Sequence, residues 1–326
     1  MSDDIGRKIN VILRIINESK GPIGSAEIAA KLKDLGIDMS ERTVRYHLKI
    51  LNDRGLVKVF WKEGRVITSK GLEELSDSFV LEKVGFMSSK IDSMSYKMDF
   101  DLYEKKGKVI LNVSFLRSSD FKKALKLMRP VFKEKLSTGD KAAIAEPGEM
   151  LGGIVVPEGK IGFGTPCSVN LNGILLKHSI PMESKFGGLL QIEDERPLRF
   201  VEIIDYAGST LDPHEVFLKS RMTSVGRAVL GSGKVLAGMR EIPADSIHEA
   251  EAIIRKIESA GVGRALVIGK PGQTILGTPV GIQRAGIVVP GGLNPIAAVE
   301  EGGILTENKA LATMIDYGQL IGFWDL

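Results

Sequence analysis

The first 70 residues carry an apolar pattern that changes from helical to strand-like spacing. Apolar positions recur with a helical period over residues 5–16, 25–36 and 40–53, and the last two segments begin at serines, which are favoured N-cap residues. Residues 56–60 and 65–68 are short strand-like segments on either side of a glycine-containing turn. Three helices followed by a hairpin is the element order of a winged helix-turn-helix, a DNA-binding motif.

The third predicted helix separates its side chains onto two faces. At about 100° per residue, Val44, Leu48 and Leu51 cluster on one side, where they would pack against the first two helices. The other side carries two guanidiniums, a phenol and an ammonium, from Arg42, Arg45, Tyr46 and Lys49. An α-helix fits the major groove, where arginine can bind guanine and lysine can reach bases or phosphates. This face is therefore predicted to bind double-stranded operator DNA.

The predicted DNA-binding set also includes the start of this helix and the hairpin. Basic side chains in the hairpin are expected to contact backbone phosphates, which position a domain without reading sequence. The full set is Ser40, Arg42, Thr43, Arg45, Tyr46, Lys49, Lys58, Lys62 and Arg65. The alternatives are a basic face that is merely solvated and a winged helix that binds protein.

The distribution of charge favours DNA as the partner. The net charge of +3 comes entirely from residues 1–76, which hold 14 Lys and Arg against 11 Asp and Glu. Residues 77–326 hold 30 of each sign, and residues 40–70 alone hold 8 basic against 3 acidic side chains. A local excess of this kind attracts polyanions.

Residues 71–100 are predicted to form connector helices with a break at Gly85. An apolar stripe there could pack between domains or against a partner chain, and a simple linker helix is the alternative. The stripe consists of Leu72, Leu75, Phe79 and Leu81.

Residues 101–326 are predicted to form an internally duplicated α/β domain, with units of about 101–230 and 231–326. Gly164-Thr165-Pro166 recurs as Gly277-Thr278-Pro279, 113 residues later, whereas Pro147-Gly148 recurs 124 residues later. We assign the difference to an extra stretch in the first copy around residues 152–160. With residues 1–70 as the winged helix, the predicted fold class is α/β (α+β), a winged helix-turn-helix followed by a duplicated α/β effector-binding domain.

The duplicated units are expected to pack face to face, with a cleft between homologous loops where a small-molecule inducer would bind. Glycine-rich loops expose backbone N–H groups, and an arginine pair can clamp a carboxylate. The predicted effector-binding residues are Thr165, Cys167, Asn170, Arg221, Thr223, Arg227, Thr278, Gln283 and Arg284. The alternative is that these loops only turn strands and that the arginines pair with nearby acidic residues.

Patterns for catalysis and metal binding are weak. The single cysteine, Cys167, excludes an intrachain disulfide and multi-cysteine zinc sites, and the four histidines show no metal-ligand spacing. Residues 231–234 resemble the end of a phosphate-binding loop but lack its earlier glycine and its final Ser or Thr. We expect no catalytic residues, no metal and no cofactor.

Composition and hydropathy predict a cytoplasmic protein without a membrane partner. The 326 residues are 43% hydrophobic and 26% charged, and no apolar run reaches the length of about 18 that spans a bilayer. The start, Met1-Ser2-Asp3-Asp4, has neither the basic leader nor the apolar run of a secretory signal.

The chain resembles the archaeal nitrogen-regulatory repressors of the NrpR type over essentially its whole length. The resemblance is carried by residues 40–48 and 83–101 and, with higher specificity, by two glycine-rich segments. These are Gly164-Thr165-Pro166-Cys167-Ser168-Val169-Asn170 and Gly286-Ile287-Val288-Val289-Pro290-Gly291-Gly292-Leu293-Asn294-Pro295.

The resemblance implies a repressor of nitrogen-fixation and ammonium-assimilation genes that binds a palindromic operator and is released by 2-oxoglutarate as effector. The chain carries one effector domain where some members carry two, so a homodimer, a higher oligomer and a related partner subunit are all open. A regulator of the same fold that responds to another small anion or an amino acid is the first alternative. An α/β enzyme fused to a DNA-binding module is the second.

Overall fold

A computed structural model of the chain describes residues 3–19, 21–60, 63–78 and 86–326. The chain divides into two compact units, residues 1–84 and 85–326, each with its own hydrophobic core. None of the helices in these described segments has the length and apolar character that crossing a bilayer requires.

The first unit has the predicted winged-helix order. Its elements are α1 (Asp3–Glu18), α2 (Ser25–Asp34), α3 (Glu41–Asp53), β1 (Val57–Phe60), β2 (Gly64–Ile67) and α4 (Ser69–Ser78). β1 and β2 form an antiparallel hairpin, and Ile23 adds a bridge to Arg65 beside it. Ser25 is the first residue of α2 rather than its cap, which is Gly24. The winged helix-turn-helix is therefore confirmed.

The core of the first unit lies between its helices. Ile12 and Leu13 of α1, Ile28 of α2 and Leu48 of α3 are fully buried there. Gly64 is required at the base of the hairpin because a Cβ at that position would lie 2.4 Å from the carbonyl of Ile23, and its φ is +139°.

The residues of the predicted connector divide between the two units. α4 packs on α1 in the first unit, whereas α5 (Phe86–Lys97) packs on α7 (Val169–Lys177) of the second. Phe79 and Leu81, half of the predicted stripe, lie outside the described residues.

The second unit contains α5 and two five-stranded sheets covered by helices. Its first half comprises β3 (Lys108–Arg117), α6 (Phe121–Lys133), β4 (Lys141–Ala145), β5 (Met150–Leu151), β6 (Ile154–Val155), β7 (Lys160–Pro166), α7 (Val169–Lys177), β8 (Glu183–Glu193), β9 (Arg196–Asp205), α8 (Pro213–Lys219) and α9 (Val225–Ala228). Its second half comprises β10 (Gly233–Pro243), α10 (Ile247–Ser259), β11 (Val267–Ile268), β12 (Arg284–Pro290), α11 (Asn294–Glu301), β13 (Thr306–Asp316) and β14 (Ile321–Gly322).

The order β3-α6-β4-β7-α7-β8 of the first half recurs as β10-α10-β11-β12-α11-β13 in the second, which supports the duplication, but the repeat offset of 113 residues was wrong. β7 ends at Pro166 and β12 at Pro290, so the glycine-rich strands repeat at 124 residues. Gly277-Thr278-Pro279 lies in the loop before β12 and has no counterpart in β7. The segment between β4 and β7 and the segment between β11 and β12 correspond at the offset of 124. The first copy therefore does not contain the extra stretch predicted around residues 152–160.

The two copies exchange strands, so neither sheet is formed by one copy alone. The first sheet has the order β13-β3-β7-β4-β14, and the second has the order β11-β12-β10-β8-β9. β13 of the second copy therefore pairs with β3 of the first, and β8 of the first copy pairs with β10 of the second. The second copy contributes β13 and β14 to the first sheet, and the first copy contributes β8 and β9 to the second, so each sheet contains two strands of the other copy.

Candidate DNA interface and effector pocket

The recognition-helix face predicted on α3 is present. Ser40 caps the helix by accepting a hydrogen bond from the backbone N–H of Thr43 at 3.2 Å. Val44, Leu48 and Leu51 are fully buried. This fixes the orientation of the helix about its axis, so that the opposite face points outward. That opposite face is exposed and consists of Arg42, Arg45, Tyr46 and Lys49.

Arg45 is held by acidic and hydroxyl partners on its own unit. Its Nη2 donates to Glu41 Oε1 at 2.6 Å, its Nε donates to Ser25 Oγ at 3.3 Å, and Ser25 Oγ donates to Glu41 at 2.9 Å. Hydrogen bonds from Arg45 and Ser25 lower the pKa of the Glu41 carboxyl, so Glu41 stays charged. A phosphate or guanine that binds Arg45 must compete with this carboxylate.

The hairpin does not present its basic residues on one side. Lys58 pairs with Val66 and Val59 pairs with Arg65 in the β1–β2 register, so Lys58 and Arg65 project from opposite faces. Arg65 is also half-buried, with its Nε enclosed, whereas Lys58 is exposed. Lys58 and Arg65 therefore lie on different sides of the hairpin, and Lys62 lies outside the described residues.

His47 belongs to the packing of α3. It is 5% exposed, its Nδ1 has no hydrogen-bond partner, and its ring lies edge-on to Tyr46. Burial lowers the pKa of His47, and the charge of Lys8 lowers it further.

The structure places the nine predicted effector residues in four different surroundings. Thr165, Cys167 and Asn170 are buried at the end of β7 and the start of α7. The side chain of Asn170 is bonded to the backbone. Its Oδ1 accepts from Ile110 N at 2.7 Å, and its Nδ2 donates to the Ile110 and Val262 carbonyls. Both amide N–H groups are used and the side chain is fully buried, so Asn170 is not accessible to a ligand.

Arg221 and Thr223 line a half-open cavity of about 680 Å³ between α8, α11 and the start of β13. The side chain of Arg221 makes no hydrogen bond or ion pair with any described residue, and Lys219 lies beside it in the cavity wall. Thr223 donates to Glu301, which also accepts from the backbone N–H groups of Val225 and Gly226. Arg227 is exposed on α9 and is not part of this wall.

The same cavity has acidic side chains that sequence reasoning did not include. Glu300 accepts from Thr306 and Asn308, and Glu307 forms an ion pair with Lys160 at 2.6 Å. Glu215 accepts from the backbone N–H of Ala310, and burial raises the pKa of its carboxyl. The wall therefore combines two cations with four carboxylates, most of them engaged by protein donors.

Thr278, Gln283 and Arg284 lie in the loop before β12 and at its first residue, away from that wall. Arg284 donates to Glu183 and to the Glu241 carbonyl, and its Nε is 3.7 Å from the Glu241 carboxylate. These ion pairs correspond to the alternative in which the predicted arginines pair with acidic residues. The predicted single cleft is therefore not assembled from these nine residues.

A buried polar cluster near the start of α7 was missed from the sequence. Arg240 is fully buried in β10, donates to Ser168 Oγ at 3.2 Å, lies over the Tyr206 ring and leaves its Nε without a partner. Asp212 caps α8, and His214 contacts the Ala237 carbonyl. A cavity of about 10 Å³ adjoins this cluster, so it holds at most about one water. The available signal was an arginine directly after the apolar residues 235–239.

Cys167 does not have the properties of a nucleophile. It is buried, and burial raises the pKa of its thiol to about 11, so the thiolate is not populated at neutral pH. Within the described segments, no three His, Cys, Asp or Glu side chains cluster in a way that could hold a metal ion.

Comparison with known protein families divides the chain at the same place as the structure. A family described as NrpR regulatory domains NRD1 and 2 matches residues 84–321. A family described as the ribonuclease R winged-helix domain matches residues 10–75.

Three nitrogen regulators are similar over nearly the whole chain. Identity is 36% with the global nitrogen regulator NrpRI of Methanosarcina mazei, over 97% of this chain and 98% of that protein. It is 31% with the global nitrogen regulators NrpR of Methanococcus maripaludis and Methanocaldococcus jannaschii, over 95% and 96% of this chain. The chain spans about half, 54%, of each of these two longer proteins.

A solved structure shares the fold of the second unit. It is a nitrogen repressor-like protein from Methanococcus jannaschii, with 30% identity and a TM-score of 0.62. The match covers 72% of this chain and 97% of that one.

Proposed function

Because the chain belongs to the family of NrpR nitrogen regulators, we propose that it represses genes of nitrogen assimilation and nitrogen fixation from a palindromic operator. The chain is a transcriptional repressor of nitrogen metabolism and not an enzyme, since its relatives are regulators and most of its length is a regulatory domain. The operator, the dimer and the inducer are the parts that we add as proposals.

The observation that carries operator binding is the exposed face of α3. Two arginines, a lysine and a tyrosine project from a helix whose other side is locked in the core of the first unit. Such a helix fits the major groove and reads base edges, while exposed Lys58 of the hairpin contacts a phosphate. One winged helix covers few base pairs, so a dimer places one copy on each half-site of the palindrome.

We further propose that 2-oxoglutarate is the inducer and that it binds in the cavity beside Arg221. The ligand is a dicarboxylate, and carboxylates are held by guanidinium, ammonium and N–H donors. Arg221 and Lys219 supply two cations in a space of about 680 Å³, and Thr223 supplies a hydroxyl. Release from DNA requires only that the ligand prefers one of two conformations, with a typical coupling of about 1–3 kcal/mol.

An α-amino acid is a second candidate ligand, because the cavity also carries carboxylates. One oxygen of Glu300 has no partner, and Glu215 is bonded through only one oxygen. An ammonium group could bind there while a carboxylate binds Arg221. The structure of the wall therefore favours a zwitterion over other neutral or cationic metabolites.

The deciding experiment is fluorescence anisotropy of the full chain on a palindromic operator at fixed salt, titrated with 2-oxoglutarate, glutarate or glutamine. Salt is fixed because phosphate contacts alone make affinity strongly salt-dependent. We expect 2-oxoglutarate to weaken operator binding and glutarate, which lacks the keto group, to act less.

We expect Arg221→Ala to shift the 2-oxoglutarate response to higher concentration without changing DNA affinity in its absence. Arg255→Ala is the control, because this exposed arginine lies on α10 and is not part of the cavity wall. An unchanged response in Arg221→Ala would exclude this cavity as the site. A response to glutamine alone would favour the second ligand.

A further inference from the structure

β9 is an outer strand with one unused edge. Eight of its ten residues pair with β8, and it pairs with no other strand of the described chain. Leu198 and Ile203 are 46% and 56% exposed, so the strand presents apolar side chains as well as backbone groups. A long outer strand with exposed apolar side chains is a surface that natural proteins usually cover.

The charges of β9 are separated along the strand. Arg196 and Arg199 lie in its first half, whereas Glu202 and Asp205 lie in its second half. None of these four side chains forms an ion pair with another described residue, although Arg199 donates to Gln191 at 3.1 Å. The strand is therefore basic at one end and acidic at the other.

This arrangement is complementary to itself in the antiparallel direction. A second β9 that runs antiparallel places each basic half against an acidic half and brings Leu198 of one copy towards Ile203 of the other. A parallel arrangement would instead set like charges side by side, which is unfavourable. A two-fold axis near Phe200 and Val201 produces the favourable arrangement for both copies at once.

We infer that a second copy of this chain binds along β9, and that this contact forms the dimer of the repressor. This inference rests on the proposed function in one respect, since it assigns the surface by which the proposed dimer is built. Oppositely charged ends specify the direction, and the exposed leucine and isoleucine supply apolar area at the centre.

Local irregularities of β9 decide how the contact is made. Leu198 and Val201 are skipped in the register with β8, so the strand has two bulges, and Pro197 lacks an N–H. An uninterrupted backbone ladder is therefore not available, and side chains carry the interface. The same irregularities discourage unlimited strand addition, while a two-fold contact uses the edge of both copies and closes at two chains.

The test is charge reversal with complementation in the full chain. Arg196→Glu/Arg199→Glu makes β9 acidic throughout, and Glu202→Lys/Asp205→Asn removes its acidic end. Asparagine at position 205 keeps the side-chain oxygen that accepts from the Ala207 N–H at 2.6 Å. Lys122→Glu/Lys126→Glu is the matched control, because it reverses two exposed lysines on α6. Mass is measured by light scattering and the dissociation constant by sedimentation.

The wild-type chain and the control are expected to have the mass of two chains. Each β9 variant alone is expected to dissociate, with a dissociation constant raised by about tenfold or more, and an equimolar mixture of the two variants is expected to recover the dimer. Unchanged folding is checked by circular dichroism, and the recovery on mixing shows that both variants are folded.

The outcomes separate this interface from the proposed function. A dimer that persists in both variants overturns the β9 interface and leaves a dimeric repressor intact. A wild-type chain that is monomeric at all concentrations overturns the interface and the dimer together. A dimer that obeys the charge rule but binds no operator supports the interface and contradicts the proposed function.

Discussion

Arg45 shows how a single residue can be exposed and yet not be free. Its side chain is 65% exposed, but its guanidinium is bonded to Glu41 and Ser25 at the start of α3 and α2. The charged face of the helix could be derived from helical periodicity alone. The carboxylate that holds Arg45 could also be read at the spacing i,i+4, but the contribution of Ser25 depends on how α2 packs against α3.

We predict opposite effects for the two partners of this ion pair. Arg45→Ala removes a DNA contact and should cost about 1–3 kcal/mol of specific operator binding while leaving folding intact. Glu41→Gln removes the competing charge and should strengthen binding severalfold. Anisotropy on the operator measures both, with Glu73→Gln on α4 as the control for loss of one exposed carboxylate. Equal affinity of the Arg45→Ala variant and the wild type would contradict the assignment of α3 as recognition helix.

At the scale of the element, α3 combines the exposed face that we propose contacts DNA with a buried face that contains a histidine. His47 is neutral in the folded unit because burial lowers the pKa of its imidazole. In the unfolded chain the pKa of this histidine is about 6.5. Between this pH and the lower pKa of the folded state, the unfolded chain binds more protons than the folded chain. Stability of the first unit is therefore complete above pH 6.5 and decreases as pH falls through the unfolded-state value.

We predict that His47→Leu reduces this dependence on pH. The melting temperature of the winged-helix transition should fall between pH 7.5 and pH 5.5 in the wild type and fall less in the variant, measured by calorimetry on the full chain. His214 in the second unit also has a pKa lowered by burial, and it remains in both proteins as an internal reference. Equal slopes in the two proteins would show that His47 does not carry the effect.

For the whole molecule, the central feature is that two copies of one motif complete each other. Asn170 and Asn294 occupy equivalent places at the starts of α7 and α11 and make equivalent bonds. Asn294 Oδ1 accepts from Leu236 N, and its Nδ2 donates to the Leu236 and Leu136 carbonyls. Each asparagine thus binds the first strand of its own copy and the turn after the long helix of the other.

We predict that Asn170→Ala and Asn294→Ala each lower the free energy of unfolding of the second unit by about 2–4 kcal/mol, because three buried hydrogen bonds are lost in each case. Urea unfolding measures the loss. Asn308→Ala is the control, since the side chain of this half-buried residue bonds only within its own copy. Losses that differ strongly between the two asparagines would argue against equivalent roles.

Gly292 illustrates why the connection between copies could not be derived in advance. A Cβ at this position would lie 2.2 Å from the Pro166 carbonyl and 2.4 Å from Asn112 Nδ2, so the start of α11 approaches the first copy closely. The sequence contains the glycine-rich segment, but its neighbour is more than 120 residues away. Repeated motifs indicate duplication without indicating which copy supplies each strand.

The amino-acid sequence by itself determined the local elements of this protein: the three helices and hairpin of the first unit, the two faces of α3, and a duplicated α/β region with its repeated strands and helices. These follow from periodicity, capping and turn residues, which act over a few neighbours. Tertiary structure alone decided the exchange of β8 and β13, the opposite directions of Lys58 and Arg65, and the separation of the nine expected effector residues. Those depend on pairing register and on contacts between distant segments, and a shift of one residue in register turns a strand's side chains to the other face.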